Sequence, residues 1–419
     1  MLAATTCLPK RVHAQTWTNG QPASYVIGQT GFNLNGSGTT PTSLALPESA
    51  IVDPASGKVF VCDVFNSRVL RYPSTAAMTN GAAAEAVLGQ SGFFSSGYSQ
   101  PPTAASLTYP TGIAIDGSGS LWVADGDNSR VLRYDNAATI ASGSPANGVL
   151  GQPDFVSNTA ANPPTGASFH LPNSVFCSGT TLWVSDGDNN RILRFDDAAS
   201  KANGANADAV FGQPNFVTGN YGATNTAANL LALPCQIYVD GSDNLWVADA
   251  NNNRVLMFPN ASFAVNGTNG GVGGPATLVL GQTGFTDNPS DITASAMDYP
   301  YGVYGDAAGN IYVGDVVNNR ILVFANAAGL SNGAAASYVL GEPGLSIYPN
   351  PAQSSMVVKV PQKGTAEIDI HSSAGMLMQR LVTGAAVNNI DISWFAAGMY
   401  MVTVVQGGST VSGSFMKAN

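Results

Sequence analysis

An eight-residue element, Asp-x-x-Asn-[Ser/Asn]-Arg-[Val/Ile]-Leu, recurs five times in this chain and limits its fold more than any other feature. The copies begin at Asp63, Asp125, Asp186, Asp249 and Asp315 and place arginines at Arg68, Arg130, Arg191, Arg254 and Arg320. An aromatic residue stands three places before each Asp (Phe60, Trp122, Trp183, Trp246, Tyr312). Another stands four places after each Arg (Tyr72, Tyr134, Phe195, Phe258, Phe324). A proline precedes a short apolar run in every repeat, at Pro47, Pro110, Pro172, Pro234 and Pro300. A second element, Val-[Leu/Ile/Phe]-Gly-[Gln/Glu], occurs six times, with glycines at Gly28, Gly89, Gly151, Gly212, Gly281 and Gly341. Self-similarity at a period of 61 to 66 residues means an array of supersecondary units that bury their apolar faces only by stacking.

Each unit reads as four short strands. In the second, Gly112–Asp116 is a first strand, closed by the turn at 117–120. Leu121–Ala124 alternates bulky and small residues, as a half-buried strand does. Asp125-Gly-Asp-Asn128 is a tight turn of residues that tolerate left-handed backbone. Val131–Tyr134 returns, and Val149–Gly151 follows a polar loop. A four-stranded meander repeated radially is a propeller blade. A parallel β-helix needs shorter periods and an α-solenoid needs helices, and neither pattern occurs.

The motif aromatic-Val-[Ala/Ser/Cys/Gly]-Asp-x-x-Asn-x-Arg-[Val/Ile] closely resembles the NHL repeat, over roughly residues 21 to 344. The resemblance implies an all-β, NHL-type β-propeller. Five complete repeats and six copies of the last strand leave five or six blades open, and five is the expected number. The surplus strand at Tyr25–Gly28 is expected to close the ring against the final blade. Loops after each Val-x-Gly-Gln account for a period longer than the usual 40 to 45 residues of a blade.

Repeats stop at Gly344. Residues 345–419 then carry alternating runs at Met356–Val360, Ala366–Ile370, Asn389–Ile392 and Gly398–Val404, a pattern that predicts a small immunoglobulin-like β-sandwich. This stretch resembles the type A C-terminal sorting domain of type IX secretion in Bacteroidetes. The residues that carry the resemblance are Tyr348-Pro-Asn-Pro-Ala352, Ser373-Ala-Gly-Met376, Phe395-Ala-Ala-Gly-Met-Tyr400 and Lys417. It implies export across the outer membrane to the cell surface or medium, with the secretion machinery as a partner. A carbohydrate-binding or spacer sandwich is the alternative.

Charge then narrows the function. Charged residues make up 10% of the chain, against about 25% in an average soluble protein, so the surface is mostly Asn, Thr, Ser, Gly and Ala. The net charge of −10, with 16 Lys and Arg in all, leaves no basic stripe and argues against nucleic acid as a partner. No run of 18 apolar residues marks a transmembrane helix. Residues 1–20 read as the tail of a signal peptide, with a small-residue site at Val12-His13-Ala14 and the apolar core lying upstream of Met1. A disordered tail is the alternative. Of Cys7, Cys62, Cys177 and Cys235, three remain after such cleavage, allowing one disulfide at most. Their spacing fits no zinc pattern, so buried free thiols are expected.

The loudest motif is expected to be structural: each Asp and the Arg five residues on should brace a turn, with the bidentate geometry that suits Arg. Its Asp-Gly-Asp-Asn copies lack the later Gly and Glu of a calcium loop. Function is sought where the symmetry breaks. The residue after each repeated proline starts an innermost strand at one mouth of the channel, and there the blades differ: Glu48, Thr111, Asn173, Cys235 and Tyr301. His170 and Asp298 lie just before the prolines. A ring of unlike polar groups is a candidate ligand site, although drift at tolerant loop positions would look the same.

The propeller keeps one histidine, His170, which excludes a multi-His zinc lyase, and no Gly-x-Ser-x-Gly elbow supports a serine triad. Two readings follow. One is a binding or adhesion module for a glycan, protein or small molecule, with no cofactor. The other resembles the calcium-dependent sugar lactonases, with Glu48, Asn173 and Asp298 as hard oxygen donors to Ca²⁺. A streptogramin-type lyase would have His170 alone for its base.

Overall fold

The computed structural model describes residues 24–219, 226–263, 265–267, 270–340, 346–348, 352–360, 364–373, 375–385, 387–406 and 409–418. The expected signal-peptide tail at 1–20 lies outside them.

Five antiparallel sheets follow one another along the chain, each in the order a-b-c-d. Blade 1 comprises Pro47–Val52, Lys58–Asp63, Arg68–Ser74 and Ala86–Leu88. Blade 2 comprises Pro110–Ile115, Leu121–Asp125, Arg130–Tyr134 and Gly148–Leu150. Blade 3 has Pro172–Ser178, Thr181–Asp186, Arg191–Phe195 and Ala209–Phe211. Blade 4 has Pro234–Val239, Leu245–Asp249, Arg254–Phe258 and Leu278–Leu280. Blade 5 has Pro300–Gly305, Ile311–Asp315, Arg320–Phe324 and Tyr338–Leu340. A hairpin from the c–d loop of blade 4, Val265–Gly267 and Gly270–Val272, extends the sheet of blade 3 by parallel pairing onto its d strand.

The repeated sequence explains the local geometry. The residue before each motif Arg (Ser67, Ser129, Asn190, Asn253, Asn319) has φ between 50° and 55°, a left-handed conformation that Asn accepts more readily than most residues. The d strands of blades 1 to 4 each run into a glycine with positive φ, and Gly28 shares that conformation: a Cβ on Gly28, Gly89, Gly151, Gly212 or Gly281 would lie within 3 Å of Leu44, Leu107, Phe169, Leu231 or Met297 respectively. The inner a strands lie side by side in chain order from blade 1 to blade 5. Four apolar cores fill the junctions between consecutive blades. Phe60, Cys62 and Val69 meet Val123 and Leu132; Trp122 and Val131 meet Val184 and Leu193. Trp183 and Ile192 meet Val247 and Leu256; Trp246 and Val255 meet Val313 and Leu322.

The fifth place in this series is open. On blade 5, the face equivalent to Trp246, Val255 and Leu280 carries half-buried Tyr312, with Ile321 42% and Leu340 43% exposed, while Val255 and Leu280 are 0% exposed. On blade 1, Ala50 and Val52 of the a strand are exposed, whereas Val61 and Leu70 are buried in a further core with Leu44 and Val87, against which Ile27 packs. The segment expected to close this gap does something else. The Val26 N–H donates to Asn80 Oδ1 at 3.0 Å, and the Gly81 N–H donates to Val26 O at 3.0 Å. The d strands of blades 1, 2 and 4 meet the next blade in the same way, at Ser142 and Gly143, Asn203 and Gly204, and Asn332 and Gly333. Residues 26–28 therefore stand where the outer strand of a blade before blade 1 would stand, not against blade 5.

The C-terminal region is a two-sheet sandwich. One sheet pairs Ser346–Tyr348, Ser355–Lys359 and Val387–Asp391; the other orders Leu377–Thr383, Ala366–Ser372, Gly398–Gln406 and Ser409–Lys417. Met356, Val358, Ile368, Ile370, Ile390, Val402, Val404 and Phe415 form its core. No helix among the described residues is long and apolar enough to cross a membrane.

Candidate functional site: the mouth of the channel

Every a strand begins, and every b strand ends, at one end of the channel, because each repeated proline pairs with the motif Asp (Pro110 with Asp125, for example). At this end the motif builds a buried hub. In blade 2, Asp125 Oδ2 accepts from Arg130 Nε at 2.7 Å and Asn128 Nδ2 at 2.9 Å, and Oδ1 accepts the Thr108 N–H at 2.6 Å. The rest of the Arg130 guanidinium donates to the carbonyls of Thr103 and Ser106 in one long loop and Phe155 in the next. Blades 1, 3, 4 and 5 repeat the Asp–Arg pair at 2.6 to 2.7 Å. This differs from the bidentate pairing the sequence suggested. One Nε contact holds the carboxylate, and the two terminal nitrogens are spent on loop carbonyls. Burial pushes the carboxyls of Asp125, Asp186 and Asp249 above the ordinary range, with the paired arginine pulling each back down.

The hub also fixes strained backbone. Leu46, Tyr109, Leu171, Leu233 and Tyr299, the residues before the repeated prolines, all have φ between 50° and 54°. A left-handed conformation at bulky residues is costly, and the adjacent N–H to Asp bond holds it in all five blades.

The variable ring divides into two kinds of residue. Thr111 Oγ1 donates to Pro172 O at 3.2 Å, and Asn173 Nδ2 donates to Pro234 O at 3.2 Å. Both thus link one blade to the next. Glu48, Cys235 and Tyr301 instead share the channel. Burial raises the Tyr301 hydroxyl, and Cys235 and Glu48 raise it further. Burial likewise pushes the Cys235 thiol up to about 12, with Asp249 and Glu48 adding to the shift; its Sγ donates to Leu233 O. Glu48 itself is raised by burial. His170 Nε2 lies 3.4 Å from Asp188 Oδ2, and Asp298 accepts the Val317 N–H through its backbone carbonyl. Cys62, Cys177 and Cys235 are free thiols. Among the described residues no three His, Cys, Asp or Glu side chains gather closely enough to hold a metal ion.

Sequence reasoning missed a second ring. The third place of each Asp-x-x-Asn turn holds Phe65, Asp127, Asp188, Asn251 and Val317, and these turns stand beside the pre-proline residues. The signal was available, since these positions vary inside an otherwise fixed motif. Phe65 packs edge-on against Tyr109 of the next blade, ring centroids 5.9 Å apart. The long loops add exposed Phe32, Phe94, Tyr98 and Ile292 to the same face. Exposed large apolar residues of the propeller fall on this face or at the open fifth place, with Tyr25 and Val272 apart.

Residues 346–418 match the family of secretion system C-terminal sorting domains, and residues 107–134 match the NHL repeat. No curated protein matches the chain. Among solved structures, the chain is similar to PorZ, an essential surface component of the type IX secretion system of Porphyromonas gingivalis (13% identity, TM-score 0.38, 89% of this chain and 51% of that one). The chain thus spans about half the length of PorZ. It is also similar to an inactive variant of virginiamycin B lyase from Staphylococcus aureus bound to quinupristin (14%, TM-score 0.42, 77% and 79%). A nidogen/laminin complex is a third (16%, TM-score 0.44, 71% and 80%).

Proposed function

We propose, for a chain that is an NHL-repeat β-propeller exported through a type IX sorting domain to the cell surface or extracellular space, that the propeller is a binding module whose ligand sits on the face around the channel mouth. One observation carries this reading: away from the open fifth place, and with Tyr25 and Val272 apart, the large apolar side chains exposed among the described propeller residues gather on that single face. Such patches, rimmed by polar groups, mark interaction surfaces. The hub beneath it gives the loops fixed positions, so the face is organised before any ligand arrives.

The test compares the full chain with a Phe65→Ser, Phe94→Ser, Tyr98→Ser variant on glycan and peptide arrays. All three side chains are exposed, so the variant should keep the parent thermal transition while losing the parent's ligands. Ligands held equally by both proteins, or no ligand held by the parent, would overturn the reading.

A further inference from the structure

Charge is divided unevenly between the two ends of the propeller. Five arginines reach the mouth end, and all five are buried in the Asp–Arg hubs, each paired with its own carboxylate. The propeller's other cations work at the opposite end. Lys58 pairs with Glu85 and Lys201 with Asp208. Arg71, Arg133 and Arg194 donate to carbonyls of Ala137, Ala199 and Ala261 in the c–d loops of the next blade. Carboxylates are not divided this way. Besides Glu48, the mouth end carries Asp127 and Asp188 in the turns and Asp154, Asp287, Asp291 and Asp298 in the loops and pre-proline positions. Among the described residues it holds no Lys or Arg to set against them, and one histidine, His170.

We infer that the partner on this face is a basic polypeptide segment, rich in Lys or Arg and carrying apolar side chains, recognised by charge and apolar surface together. This rests on the reading of the mouth face as the binding surface and names its ligand class. A neutral glycan would satisfy the aromatic residues but leave the carboxylates without counter-charge. Partial burial holds Glu48 and Asp127 above the ordinary carboxylate range, and Asp188 as well although His170 pulls it down; a bound cation favours the charged form and so offsets that cost. Phe65 and Tyr109 offer ring faces and edges beside the acids, the setting in which a guanidinium or ammonium gains from an aromatic partner. The long-range field of an acid face without cations also speeds the approach of a basic partner.

The experiment uses the full chain and two labelled twelve-residue peptides, three repeats of Lys-Leu-Gly-Ser and three of Glu-Leu-Gly-Ser, read by fluorescence anisotropy. The lysine peptide should bind at least about tenfold more tightly than the glutamate peptide, and its affinity should fall several-fold as salt rises toward about 0.15 M, where screening sets in within about 8 Å. A Glu48→Gln, Asp127→Asn, Asp188→Asn variant should lose roughly tenfold in affinity for the lysine peptide. A Glu85→Gln, Asp135→Asn, Asp196→Asn variant at the opposite end should keep it. Equal binding of the two peptides, or equal loss in both variants, overturns the inference. If the arrays show a neutral glycan lost with the aromatic variant while neither peptide binds, the ligand class is wrong and the binding face stands.

Discussion

Four junctions between blades are filled and the fifth place is open, although the sequence of blade 5 is as regular as the others. Leu280 and Leu340 occupy the same place in their repeats; the first is buried completely and the second is 43% exposed. Val255 and Ile321 differ in the same way. The difference teaches that a blade does not bury its own face. Burial of a Leu or Ile side chain contributes about 1.5–3 kcal/mol, and in this architecture the contribution belongs to the junction rather than to the blade.

The comparison is tested most severely at an interior hub. Arg191→Ala in blade 3 leaves Asp186 buried without its cation, and should destabilise the protein by about 3–5 kcal/mol, measured by urea unfolding. Next comes the junction itself. Leu280→Ala should cost about 2–4 kcal/mol by opening a cavity, whereas Leu340→Ala should stay within about 1 kcal/mol; equal losses would show that the fifth place is covered in solution.

A smaller effect separates blades with and without an indole partner. Trp122 Nε1 donates to Asp116 and Trp246 Nε1 to Asp240, both at 2.9 Å, while Trp183 Nε1 is buried without a partner. Trp122→Phe leaves a carboxylate short of a donor and should cost about 1–3 kcal/mol more than the lost ring area alone. Trp183→Phe removes an unsatisfied donor and should show no such excess.

The smallest effect is on pH. Glu48, Asp127 and Asp188 are raised in the folded state, so their ionised forms disfavour folding. Their stabilising share is complete below the ordinary carboxylate value and is lost as pH rises through the raised one. In the variant with all three neutralised, stability should fall less between pH 4 and 7 than in the parent. Binding of the lysine peptide should follow the opposite course, weakening as the pH is lowered.

Much of this architecture was legible in the residues. The five-fold motif gave the strands, the turns and the place of each Asp–Arg pair, because propeller blades repeat one local solution. What was not legible depends on neighbours in space. Val26 to Gly28 reads as a spare strand, but only its bonds to Asn80 and Gly81 show which blade it adjoins. Thr111 and Asn173 look like ring variants of Glu48, yet they have a donor to offer the next blade's proline carbonyl and Glu48 does not. Phe65, Asp127 and Asp188 were overlooked because the fixed residues around them drew the whole motif into a structural reading. In the sandwich, Leu377–Thr383 and Ser409–Lys417 escaped a reading that looked for apolar alternation, since exposed and half-buried residues mix along the first.

The open fifth place also bears on how the molecule is made. The four filled junctions join blades that are consecutive in the chain, so each of them forms without bringing distant parts of the chain together. Each blade is one contiguous stretch of sequence that docks on the blade before it. Assembly can therefore begin at any repeat and spread by nearest-neighbour steps, free of the slow search that long-range pairing imposes on most all-β proteins. A chain that crosses a membrane end first can add its blades in the order in which they emerge.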